Sequence, residues 1–138
     1  MMGELELAAI LCSLILGGEA EVRHPYSAAY DLHYVVVDCE TDTTVYEVGL
    51  DKRSSTDSLH QALFAAHLTG KAPGVVMIDT NGREDQYEYQ VRMVAEAAGV
   101  AYLVYNKDFL LRWQMTDYLR NYPDPRASGE DVSLMLLD

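Results

Sequence analysis

An α/β sandwich, with helices on both faces of one mixed sheet, is the fold class that three observations predict. Strand-length apolar runs rich in Val and Tyr alternate with helix-length segments along the chain. The first three strand-like runs follow one another with no helix between them, which calls for an antiparallel start. The later runs are separated by helices, which calls for crossovers to parallel strands. At 138 residues the chain is the size of one domain, and it shows no internal repeat, low-complexity tract or linker.

Glu4 to Leu16 is dense in Leu, Ala and Ile and is stopped by Gly17-Gly18. It reads as a helix packed on more than one side. Glu4 and Glu6 stand where a secretory leader carries positive charge, and Leu5 to Leu16 is short of the ~20 residues that span a bilayer. Ala20 to Tyr26 offers a short strand, and Leu32 to Val37 and Thr44 to Leu50 form a hairpin about a polar turn at Asp38 to Asp42. Ser54-Ser55-Thr56-Asp57 supplies N-caps for a second helix, with Leu59, Leu63 and Ala66 on one face and Gly70 at its end.

Gly74 to Ile78 is a buried-type strand closed by the turn residues Asp79-Thr80-Asn81-Gly82. A third helix is expected from about Asp85 to Ala98, stopped by Gly99, then a strand from Val100 to Tyr105. Lys107 to Arg120 makes the last helix, with Phe109, Leu110, Trp113, Met115 and Leu119 to bury. Tyr122-Pro123-Asp124-Pro125 breaks it, leaving residues from about 121 to 138 as a C-terminal extension of a single domain.

Net charge is −12, from 22 acids and 10 bases. That balance favours solubility and opposes loose attraction to nucleic acid or acidic membranes. Cys12 and Cys39 have no metal-type spacing around them, so reduced thiols in a cytoplasmic protein are expected. The four histidines, His24, His33, His60 and His67, form no zinc-type spacing. There is no Gly-rich phosphate loop and no nucleophile elbow.

The chemistry concentrates in the hairpin, where Asp31 opens the first strand, Asp38 lies near the turn and Glu47 sits inside the second strand. An acid in the middle of a Val/Tyr strand is costly to desolvate without a partner or a metal. Two acids side by side on a sheet can hold a hard cation such as Mg²⁺. Asp31 and Asp38 are seven positions apart and face opposite ways in a regular strand, so one of them shares a face with Glu47. An odd hairpin loop selects Asp31, an even one selects Asp38, and a bulge reverses either.

From Glu21 the chain reads EVRHPYSAAYDLHYVVVDCETDTTVYEVGLDKRSS. This resembles the PD-(D/E)xK, or restriction-endonuclease-like, nuclease superfamily, and within it the archaeal Holliday-junction resolvases most. Those proteins share a helix, a strand carrying Arg, a Pro-Asp opening the next strand, and Glu-x-Lys on its hairpin partner, followed by a helix and an apolar strand. Here Arg23 and Ser27 fall in place, Tyr30-Asp31 takes the Pro-Asp position and Glu47-Val48 begins Glu-x-Lys; the likeness covers roughly residues 3 to 105.

The resemblance implies a three-layer sandwich, with Asp31 and Glu47 holding Mg²⁺ or Mn²⁺ for hydrolysis of DNA phosphodiesters. It also implies a homodimer. The motif lysine is replaced by Gly49, and Lys52, three residues on, is the catalytic substitute if the strand bends at the glycine. Glu4 or Glu6 takes the place of an accessory acid. Gln61 stands where a related branch carries Gln followed four residues later by Tyr, but that fourth residue here is Ala65.

Plainer readings stand beside these. Asp31 suits a solvated turn, Glu47 a wet sheet face, and Lys52-Arg53 a charged loop. The alternative function is the same fold without catalysis, serving protein interaction or assembly.

Overall fold

The computed structural model describes residues 3–51 and 57–121. α1 (Glu4–Ile10) runs on into a π-helical segment, Leu11–Leu16, and the run ends at Gly17, whose φ of 70° is the left-handed value that glycine adopts without strain. The strands are β1 (Glu19–Ala28), β2 (Asp31–Glu40), β3 (Thr44–Leu50), β4 (Ala72–Asp79) and β5 (Ala101–Asn106). The helices that follow β3 are α2 (Asp57–Thr69), α3 (Gln86–Ala98), α4 (Lys107–Met115) and α5 (Asp117–Asn121). Among the described residues no helix is long and apolar enough to cross a membrane.

The sheet order is β1-β2-β3-β4-β5. β1, β2 and β3 pair antiparallel, and β3, β4 and β5 pair parallel, as the spacing of strands and helices predicts. On one face, Leu7 and Leu11 of the first helical run and Leu110 of α4 pack over Val48, Val76 and Ile78. On the other, Leu59 and Ala62 of α2 and Val91 and Ala95 of α3 pack over Val75 and Met77. Successive side chains of β3 and β4 thus enter opposite cores, so both strands are apolar almost throughout. The architecture is a mixed five-stranded sheet between two helical layers.

Four local expectations differ. The turn expected at Asp38 to Asp42 shrinks to residues 41–43, because Cys39 and Glu40 are held in β2 by their ladder with β1 and β3, Asp38 accepts the Val48 amide, and Thr41 closes the corner by bonding Thr44. The last helix is two: the Thr116 hydroxyl turns back to the Arg112 carbonyl at the break, and Phe109, Met115 and Leu119 are exposed rather than buried. On α2 the buried face runs through Leu59, Ala62 and Ala65, leaving Leu63 exposed. The proposed caps Ser54 to Thr56 and the C-terminal extension beyond residue 121 lie outside the described residues.

The fourth concerns the cysteines. Cys12 and Cys39 are bonded to each other, with Cα atoms 5.4 Å apart and both side chains fully buried. The first helical run lies under the end of β2 and brings together thiols that are 27 residues apart. The expectation of reduced thiols is corrected by that packing.

β2 also breaks its own alternation. Val37 packs with Val45 and Ala65 on the α2 side, whereas Cys39, two residues on, is bonded to the helix on the opposite side. The irregularity falls at Asp38, whose Oδ2 accepts the Val48 amide at 2.8 Å, and opposite Glu21, whose φ is 55°. β2 is paired with β3 only at Cys39↔Tyr46 and Glu40↔Val45. The rest of β1 and β2 runs as a two-stranded ribbon to the tight turn at Ala29-Tyr30, both of positive φ.

Candidate metal centre

Asp31 and Glu47 do not share a site. Asp31 begins β2 beside the Ala29-Tyr30 turn, exposed, with its Oδ1 accepting the Leu32 amide at 2.8 Å. Glu47 is 2 % exposed and meets Asp38. Asp38 is seven residues further along β2 than Asp31, roughly 23 Å at about 3.3 Å per residue. Residues 41–44, an even number, separate the β2–β3 pair nearest the turn, Glu40↔Val45, which is the loop parity that places Glu47 with Asp38. The expected Asp31–Glu47 cation site is corrected accordingly. Lys52 lies outside the described residues, and Gly49 is buried within β3.

Nor do Asp38 and Glu47 make an evident cation site. Burial pushes the Glu47 carboxyl up to about 9, and the Asp38 charge and a side-chain hydrogen bond with Asp38 add to it. Glu47 therefore carries a proton at neutral pH. Its Oε1 has no hydrogen-bond partner among the described residues.

Three other acids do converge. Asp51, Asp79 and Glu88 are all buried, and each offers a carboxylate oxygen within 4.8 Å of the other two. Asp51 follows β3, and its amide continues the ladder by donating to the Ile78 carbonyl, so it stands beside Asp79 at the end of β4. Glu88 comes from the first turn of α3, whose start is fixed by Asp85 accepting the Tyr87 and Glu88 amides. The cluster therefore lies at the carboxyl end of parallel strands, where open α/β sheets place their ligands.

Asp51 and Asp79 are held in position. Thr80 donates its amide to Asp51 Oδ2 at 2.8 Å and its hydroxyl to Oδ1 at 2.7 Å. Asp79 Oδ1 accepts the Asn81 and Gly82 amides in a turn at the strand end. Burial alone raises the Asp51 carboxyl, but the Thr80 bonds and a hydrogen bond with Asp79 outweigh it and hold Asp51 below its usual range. Glu88 is raised to about 7, first by burial, then by the charges of Asp79, Asp85 and Asp51.

Glu88 Oε1 is buried and has no partner among the described residues. Carboxylates this close repel when charged, and a buried carboxyl oxygen without a partner costs free energy. One divalent cation with oxygen ligands answers both, and the residues fit Mg²⁺ or Mn²⁺.

The sequence contained the parts of this cluster under other readings. Asp51 ends a strand, Asp79 sits in the turn run Asp79-Thr80-Asn81-Gly82, and Asp85-x-x-Glu88 has the form of a helix cap. The available signal was that two consecutive parallel strands end in Asp. A separate polar cavity of about 670 Å³ lies at the other end of these strands, between Gly17-Gly18, Thr41 to Thr43 and Lys71. Of its acids, Glu19, Glu40 and Asp42, Glu40 is paired with Lys71 and His24.

Comparison with protein-family models, with curated proteins and with solved structures finds no match to this chain.

Proposed function

We propose that this chain is a divalent-cation-dependent phosphodiesterase of the nuclease type, built on a restriction-endonuclease-like fold, with the cation held by Asp51, Asp79 and Glu88. The observation that carries the reading is the buried triad with its unpartnered Glu88 Oε1. Support for the fold comes from the element order, a helix, three antiparallel strands, a helix and an apolar parallel strand, which agrees with the resemblance in the sequence.

When bound, Mg²⁺ or Mn²⁺ supplies Lewis-acid polarisation of a phosphate oxygen and makes water a stronger acid. Asp51 and Asp79 are pre-oriented by Thr80, Asn81 and Gly82 and need no rearrangement to act as ligands. Glu88, raised to about 7, would be the adjustable member: it would lose its proton on becoming a ligand, which would couple cation uptake to proton release.

The test is cleavage of single-stranded, nicked and branched DNA with Mg²⁺ or Mn²⁺. Cleavage that stops with a chelator and falls at least about a hundredfold in Asp79→Asn is expected. A rise in Tm with Mn²⁺ that the same variant abolishes checks the site without activity. Cleavage unchanged in Asp79→Asn would remove the triad from the reaction.

A second reading is the catalytically inactive interaction module. The ribbon of β1 and β2 favours it, because Leu32, Tyr34 and Val36 are exposed along one face. Self-association through this face would give the expected homodimer. No Tm shift with either cation, together with a stable dimer, would select this reading.

A further inference from the structure

The hydrogen bonds that fix Asp51 and Asp79 also restrict how each can bind a cation. The Thr80 hydroxyl lies 2.7 Å from Asp51 Oδ1 and 2.9 Å from Oδ2, so it sits in the fork between the two oxygens. The Thr80 amide donates to Oδ2 as well, at 2.8 Å. A carboxylate oxygen offers two lone pairs, so Oδ2 is filled and Oδ1 keeps one for a ligand bond. Asp79 Oδ1 is filled in the same way by the Asn81 and Gly82 amides, at 3.1 and 3.2 Å, which leaves Oδ2. The hydrogen bond between Asp51 and Asp79 is the contact that a cation would replace.

A chelating carboxylate holds its cation in the fork, with both oxygens about 2.3–2.6 Å away for Ca²⁺. The Thr80 oxygen occupies that position on Asp51. Ca²⁺ takes roughly six to eight oxygens in flexible geometry and often draws two from one carboxylate. Mg²⁺ demands octahedral geometry, takes single oxygens and keeps several waters, and Mn²⁺ accepts the same oxygen set.

We infer that the centre selects Mg²⁺ or Mn²⁺ against Ca²⁺, and that Thr80 sets this selectivity by holding Asp51 to one ligand oxygen. Thr80 is a positioning residue, since it acts through Asp51. This inference rests on the cation centre proposed above and deepens it.

The test is calorimetric titration of the full chain with MnCl2 and with CaCl2, in the wild type and in three variants. The wild type is expected to bind Mn²⁺ at least about tenfold more tightly than Ca²⁺. Thr80 is exposed, so Thr80→Ala opens the fork without leaving a cavity in the core. It should weaken Mn²⁺ about tenfold, the loss usual for a group that supports a ligand, and leave Ca²⁺ unchanged or tighter. Thr80→Ser keeps the hydroxyl and should keep the preference. Thr80→Val fills the fork with a methyl group that makes no bond, and should lose Mn²⁺ affinity while still excluding Ca²⁺.

A wild type that binds both cations equally, an equal loss for both in Thr80→Ala, or full Mn²⁺ affinity in Thr80→Val would overturn the role of Thr80 and leave the centre standing. Failure of Mn²⁺ to bind the wild-type chain would instead overturn the centre on which the inference rests.

Discussion

A carboxyl buried beside a second carboxyl either keeps its proton or acquires a positive partner. Glu47 keeps its proton, with a carboxyl raised from 4.5 to about 9 by burial and by Asp38. Between those two values the folded chain holds a proton that the unfolded chain has released. The stability this group contributes is therefore fully present below pH 4.5 and declines as pH rises towards 9, by up to about 1.4 kcal/mol per unit. Glu47→Gln, which is neutral at every pH, should remove that decline and leave the variant more stable than wild type at pH 9. Urea unfolding from pH 5 to 9 measures it; equal slopes for the two chains would show that Glu47 does not hold the proton.

At the same scale, Asp31, Glu47 and Glu88 show how far residue reading reached. The cost of an acid inside β3 was legible, and Glu47 does need relief. Which acid lies next to it was not, because Asp31 and Asp38 differ only by the loop parity that Thr41 and Thr44 set in three dimensions. Glu88 was hidden for a different reason: its place three residues after Asp85 already has a sufficient local explanation as a helix cap.

Elements were more legible than their contacts. Apolar runs located all five strands, since β3 and β4 are buried on both faces and the Gly and Asn-Gly stops are local signals. What failed depended on neighbours: Asp38 to Glu40 have turn chemistry, yet the pairing of Cys39 and Glu40 with β1 and β3 keeps the segment extended. The Cys12–Cys39 bond likewise depends on how the first helical run packs under β2. Closing a loop of 27-residue separation, this bond should stabilise the fold by about 3 to 4 kcal/mol through the unfolded chain. Reduction, or Cys12→Ala with Cys39→Ala, should lower Tm on the order of 10 °C. A Tm insensitive to reductant, with two thiols titratable in the unfolded protein before any reductant is added, would show that the bond does not form.

For the molecule as a whole, the three parallel strands set the location of the chemistry. Their carboxyl ends bring together Asp51, Asp79 and the start of α3. With a net charge of −12, a bound cation there would give an otherwise acidic chain a local positive centre. The antiparallel ribbon stands at the other side of the sheet and contributes none of these groups. The measurement that separates a cation centre from a cluster of protonated acids is anomalous diffraction from a crystal grown with Mn²⁺ at neutral pH. A single peak within about 2.5 Å of oxygens from Asp51, Asp79 and Glu88 is the expected result. A map with no peak there, or with its peak between Asp38 and Glu47, would contradict the assignment of the triad.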